Sequence, residues 1–186
     1  MNLYMMLLGC RPKGRFIEQH DIFFGIASTL KELVPHINSF WPETLGKFHI
    51  DVWRHVMVVG DYKIDIVPKG TADNHGQNLY FINLGGYKKE EFDEFHYKVL
   101  VVSETLEQAV IKAKETAFYK HNGFSGAVSH IDEKFGIDVD DFMTVDAMLM
   151  ADFTIKYDIQ ITRSSIVLQD DKFHIGYLKP EKIDKQ

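Results

Sequence analysis

The chain has one cysteine, Cys10, so no intramolecular disulfide can form, and the 45% of residues that are apolar must hold it together by packing alone. A lone thiol suits a reducing compartment, and a cytoplasmic location is expected. Long hydrophobic runs are missing as well. Residues 3–8 are apolar but far too few to span a bilayer, and neither a basic region nor a small-residue cleavage motif flanks them, so no membrane role is expected. Positive charge is also short. The 21 Lys and Arg against 27 Asp and Glu leave a net charge of -6, with no global field to hold a phosphate backbone, which argues against nucleic acid as a partner.

What the chain does contain is a repeat. Residues 79–106 align without a gap on residues 3–30, matching Leu3 with Leu79, Tyr4 with Tyr80, Leu8 with Leu84, Gly9 with Gly85, Lys13 with Lys89, Glu18 with Glu94, His20 with His96 and Thr29 with Thr105. Residues 3–8 are apolar on both alternating faces, the pattern of a central strand, and Gly9 ends it. A polar connection with Arg11, Pro12, Lys13, Gly14 and Arg15 leads to a second strand at 21–27. Thr29 and Glu32 then offer a capping box for a helix carrying Leu30, Leu33, Val34, Ile37, Phe40 and Trp41, which Pro35 should bend or restart and Pro42 should stop. Residues 48–59 and 62–67 alternate around Gly60 and Asp61 and predict a hairpin.

The first unit therefore reads β-β-α-β-β over residues 1–68, and residues 68–77 form a polar linker. The second unit, residues 78–162, repeats the pattern with a helix entered by Thr105 and Gln108. It becomes irregular over 129–152, where Ile137, Asp138 and Val139 can be laid on Ile50, Asp51 and Val52. Residues 154–162 resume strand alternation. Residues 163–186 predict a last hairpin, 166–168 with 173–177, and a frayed polar tail. The expected fold is α+β: one globule of two tandem units, mostly antiparallel sheets, packed about a pseudo-twofold axis to bury surface that one copy would expose.

The stretch LGCRPKGRFIEQHDIFFGI, residues 8–26, resembles the opening of a bacterial family known as domain of unknown function 1543. The words FWPE, HIDVW, FYKHNGF and GAVSHIDEKFGIDVDD fit the same family, so the resemblance extends over nearly the whole chain in two copies. Cys10 departs from it, standing where a second glycine like Gly86 is expected. The resemblance implies a small intracellular bacterial protein and supplies no activity, cofactor or partner.

The candidate site is polar and repeated. Glu18 and His20 lie two apart at the entry to a strand, so their side chains share a face; they recur as Glu94 and His96. The plainer reading makes the glutamate an orienting group for an imidazole that ties the loop to a neighbouring strand, and the alternative is an acid/base pair. Arg11, Lys13 and Arg15 offer donors for a carboxylate or phosphate, with Gly14 letting the backbone approach. In the second copy that loop carries Tyr87, Lys89, Glu90 and Glu91 and has turned acidic.

Three further patterns are weaker. A phosphatase-like use of Cys10 with Arg15 fails because the loop leads to a strand and not a helix N-terminus. His49 and His55 would sit about 20 Å apart on one strand at ~3.3 Å per residue and cannot share an ion, while a metal at His49 and Asp51 would need ligands from elsewhere. His130, Asp132, Asp138, Asp140 and Asp141 read as a solvated acidic turn, since their spacing matches no calcium loop. No metal or cofactor is assigned. The favoured function is a non-catalytic module that binds an anionic small molecule or a partner protein through the loop running from Arg11 to Asp21. A small hydrolase or lyase using Glu18 and His20 is the alternative.

Overall fold

The computed structural model describes residues 1–87, 90–121 and 138–185. Its strands in chain order are β1 (Asn2–Cys10), β2 (Gln19–Ala27), β3 (His49–His55), β4 (Val58–Val59), β5 (Tyr62–Pro68), β6 (Asn78–Tyr87), β7 (Glu94–Ser103), β8 (Asp138–Thr144), β9 (Tyr157–Arg163) and β10 (His174–Leu178). The α-helices are α1 (Val34–Phe40), α2 (Leu106–His121), α3 (Val145–Met148) and α4 (Ala151–Thr154). The protein is α+β with antiparallel pairing throughout its three sheets. It forms two compact units, one of Met1–Asp73 with Met148–Gln186, the other of Asn74–Ala147.

In the first unit β1 is central, as its two apolar faces require, in a sheet ordered β10-β3-β1-β2. Leu3, Met6, Leu8, Phe23, Phe24, Leu33, Ile37 and Ile50 are fully buried around it. Each such side chain contributes about 1.5–3 kcal/mol relative to exposure. Pro35 sets the helix start: Leu30–Leu33 is a 3-10 turn, and the α-helix begins at Val34, placing the proline where a missing N–H costs nothing. The capping box forms only in part. Glu32 accepts from the Ser28 amide and the Thr29 hydroxyl, both at 3.1 Å, while the Thr29 side chain caps no amide.

The predicted hairpin of 48–59 with 62–67 is corrected. Residues 49–55 pair with β1 and β10, and only the short β4 pairs with β5. Asp171 explains the break: its buried carboxylate accepts the amides of Met57 at 3.0 Å and Val58 at 3.3 Å, diverting donors that would have continued the ladder. The last hairpin is corrected too. Residues 174–178 pair with β3, while Ile166 closes a local turn on the Ser164 hydroxyl. The tail winds into a 3-10 segment, Pro180–Lys185, because Ile183 is buried. β9 begins later than alternation suggested, after α4, and pairs along the length of β5 in the first unit.

The second unit is a sheet ordered β7-β6-β8 with α2 against it. Ala109 and Ala113 let the helix come close to Tyr80, Ile82, Leu84 and Val101, with Leu106 and Val110 alongside on the same face. At its start Thr105 Oγ1 accepts the Gln108 amide at 3.4 Å. No helix among the described residues is long and apolar enough to cross a membrane.

Candidate functional site

Gly9 is the pivot of the site in the first unit. On β1 it pairs with His20 of β2 on one side and His49 of β3 on the other, so the ladders bring two imidazoles from distant parts of the chain to flank one glycine. Just beyond, β3 bulges. Leu7 pairs with Val52 and Leu8 with Ile50, so Asp51 is the extra residue that the ladder skips, and a bulge of this kind re-aims a side chain. A Cβ at Gly9 would collide with His49 Nε2 and lie 2.8 Å from Asp51 Oδ2, so only glycine leaves room for both groups.

Four side chains converge there. His20 Nε2 lies 3.3 Å from Asp51 Oδ2 and 3.7 Å from Glu18 Oε2, while His49 Nε2 lies 3.2 Å from Asp51 Oδ1 and 3.3 Å from Glu18 Oε1. The His49 side chain is only 3% exposed and stacks on Tyr177 with ring centroids 3.9 Å apart, whereas Glu18 and His20 open to solvent. Despite these approaches, neither His49 Nε2 nor Asp51 Oδ2 makes a hydrogen bond among the described residues. Buried polar atoms are normally satisfied, so this pair calls for an explanation.

The second unit carries the same arrangement about Gly85. That glycine pairs with His96 on β7 and Asp138 on β8, and the bulge falls between Asn83 and Leu84, where β8 skips Asp140. A Cβ at Gly85 would collide with the Asp140 carboxylate. His96 Nε2 lies 3.2 Å from Asp140 Oδ2 and 3.9 Å from Glu94 Oε2. One donor atom from each of Glu94, His96 and Asp140 falls within 4.8 Å of the others.

Of the residues expected from the sequence, Glu18 with His20 and Glu94 with His96 lie together in their sites. His49 and Asp51, set aside for want of partners, find them in Glu18 and His20. The predicted equivalence of Asp138 to Asp51 is corrected to Asp140, because the ladder register places Asp138 opposite Gly85 as His49 is placed opposite Gly9. The acidic turn is corrected in its described part to strand β8, where Asp141 accepts from Asn83 at 3.1 Å. His130, Asp132 and Lys89 lie outside the described residues. A signal for Asp140 was present: Val139-Asp140 laid on Ile50-Asp51 preserves an apolar residue before the acid.

Arg11, Lys13 and Arg15 are exposed on the turn between β1 and β2, closed by the Arg15 amide on Pro12 O at 3.2 Å, and none makes an ion pair among the described residues. Cys10 is buried, and burial, reinforced by the Glu18 charge, pushes its thiol up, so it stays protonated and is a poor nucleophile.

Residues 15–66 match the family model described as Domain of Unknown Function (DUF1543). The match takes in Glu18, His20, His49 and Asp51 and covers one copy only, where the resemblance in the sequence had suggested two. No curated protein matches the chain. Its fold is similar to that in the crystal structure of a protein Il1583 from Idiomarina loihiensis, with a TM-score of 0.63, 21% identity and 95% of each chain covered. At that identity the likeness speaks for the fold alone.

Proposed function

We propose that the chain is a non-catalytic binding module that takes an anionic small molecule through the loop running from Arg11 to Asp21. The observation that carries this reading is the set of three exposed cations, Arg11, Lys13 and Arg15, without ion pairs among the described residues, on a turn whose Gly14 has a positive φ of 84°. Guanidinium forks held on a short turn match the oxygens of a carboxylate or phosphate. The buried Cys10 thiol suits a reducing, cytoplasmic setting.

A thermal shift screen against inorganic phosphate, nucleotides and small carboxylates tests it. A ligand at one hundred times its dissociation constant adds about 2.7 kcal/mol. Stabilisation by one anion class, lost in an Arg11→Ala/Lys13→Ala/Arg15→Ala variant, is the expected result. No stabilisation by any anion, or stabilisation that survives in the variant, would remove the reading.

The second reading is a small hydrolase or lyase that uses Glu18 and His20 as acid and base. It is favoured by the two carboxylates, Glu18 and Asp51, that face His20 Nε2. We also infer that the two units arose by tandem duplication. In support, β1 with β2 and β3, and β6 with β7 and β8, pair in matching registers with the bulge at the same step.

A further inference from the structure

We infer that Glu18, His20, His49 and Asp51 form a binding site for a divalent transition-metal ion of the zinc class, and that Glu94, His96 and Asp140 form a related site in the second unit. This goes beyond the anion reading and stands without it.

The donor set comes first. Two imidazole nitrogens and two carboxylates are what zinc and its neighbours take, whereas magnesium and calcium call for oxygen ligands throughout. The spacing agrees. Neighbouring nitrogen and oxygen ligands at about 2.0–2.2 Å from one ion stand about 3–3.6 Å from one another. In the first unit each carboxylate turns one oxygen to His20 and the other to His49, and the four nitrogen-to-oxygen separations are 3.2, 3.3, 3.3 and 3.7 Å.

The independent observation is the orphaned pair. His49 Nε2 is buried and aimed into the cluster, and with Asp51 Oδ2 it lacks a hydrogen bond although oppositely natured atoms stand 3.2–3.3 Å away. Lone pairs converging on a shared centre account for both facts; a hydrogen-bonded histidine–carboxylate pair would have satisfied them. Charge points the same way. The two carboxylates bring two negative charges together, none of the loop cations pairs with them, and a divalent ion balances them.

Construction supports the reading as well. Each site needs a glycine on the central strand, histidine and glutamate two residues apart at the start of the next strand, and an aspartate at a bulge on the third. The second site lacks an imidazole where the first has His49, since Asp138 stands opposite Gly85, so the first should bind the ion more tightly.

The test is equilibrium dialysis of the metal-stripped full chain against cobalt(II) and zinc(II), with the cobalt ligand-field absorption as a reporter of coordination. The wild-type chain should take up one tighter and one weaker ion. His20→Gln and Asp51→Asn should each weaken the tighter ion by more than about tenfold, a loss that even outer partners of metal ligands produce. His96→Gln should weaken the other. His20 and His96 are half-exposed, so their variants should fold, and circular dichroism melts without metal check this. No uptake, or affinities unchanged in folded His20→Gln and Asp51→Asn, would overturn the proposal. A single ion that His20→Gln weakens and His96→Gln leaves intact would uphold the first site and overturn the second. The Arg11→Ala/Lys13→Ala/Arg15→Ala variant should bind cobalt as the wild type does, so failure of anion binding and failure of metal binding are read separately.

Discussion

Asp51 and Asp140 stand at the same step of two separate ladders, each the residue skipped where the third strand bulges past the central one, and each turned onto a glycine of that central strand. The bulge decides where the carboxylate points, and the glycine provides the space it enters. What differs is the company. Asp51 faces two imidazoles, His20 and His49, while Asp140 faces His96.

The two glycines should therefore respond unequally to a methyl group. Gly9→Ala drives a Cβ into His49, whose side chain is buried and stacked on Tyr177, so it should cost about 1–3 kcal/mol, the usual penalty of overpacking. At Gly85 the three atoms nearest to an added Cβ all belong to the Asp140 carboxylate, whose side chain is 30% exposed and can swing aside, so Gly85→Ala should cost less. Denaturant unfolding of both variants compares the costs. Equal costs would show that His49 is not fixed as described.

Asp171 holds the break between β3 and β4. It accepts two backbone amides and faces Arg54 at 3.7 Å, its side chain 1% exposed. Burial pushes the Arg54 guanidinium down while Asp171 pushes it up, so the acid compensates a buried cation. Asp171→Ala should cost about 3 kcal/mol or more in urea unfolding, as loss of one partner from a buried pair does. A cost under about 1 kcal/mol, the worth of an exposed pair, would contradict this.

Stability should fall on acidification through His55. Burial pushes its imidazole below the ordinary value of 6.5, nearby His174 pushes the same way, and Asp171 opposes them. The unfolded chain then takes up a proton near the ordinary value while the folded chain resists it. The stabilisation is full above that value and is lost as pH drops through it towards the folded one. His55→Gln should flatten the decline in unfolding free energy between about pH 7 and 5, the range of histidine titration. Parallel profiles for wild type and variant would contradict the assignment.

Much of the skeleton was legible because it rests on local patterns. The central strands β1 and β6, the proline-set start of α1 and the face of α2 all follow from apolar period and punctuation. Glu18, His20, Glu94 and His96 stood out by repetition. Pairings of long sequence separation were not legible, among them β5 with β9 and β3 with β10. A bulge adds one unpaired residue to a strand, so the faint local signal for Asp140, an apolar residue before the acid as in Ile50-Asp51, could be placed only once the ladder register was known. His49 looked misplaced for the same reason: its partners on β2 become visible only through β1.

The most direct measurement is a long-range proton–nitrogen spectrum of the histidine rings, recorded on metal-stripped protein and again after zinc(II) is added. The Nε2 resonances of His20, His49 and, at higher zinc, His96 should move to metal-bound positions, while those of His55 and His174 stay where they were. Zinc-independent spectra for His20 and His49, or shifts spread equally over all the histidines, would contradict it.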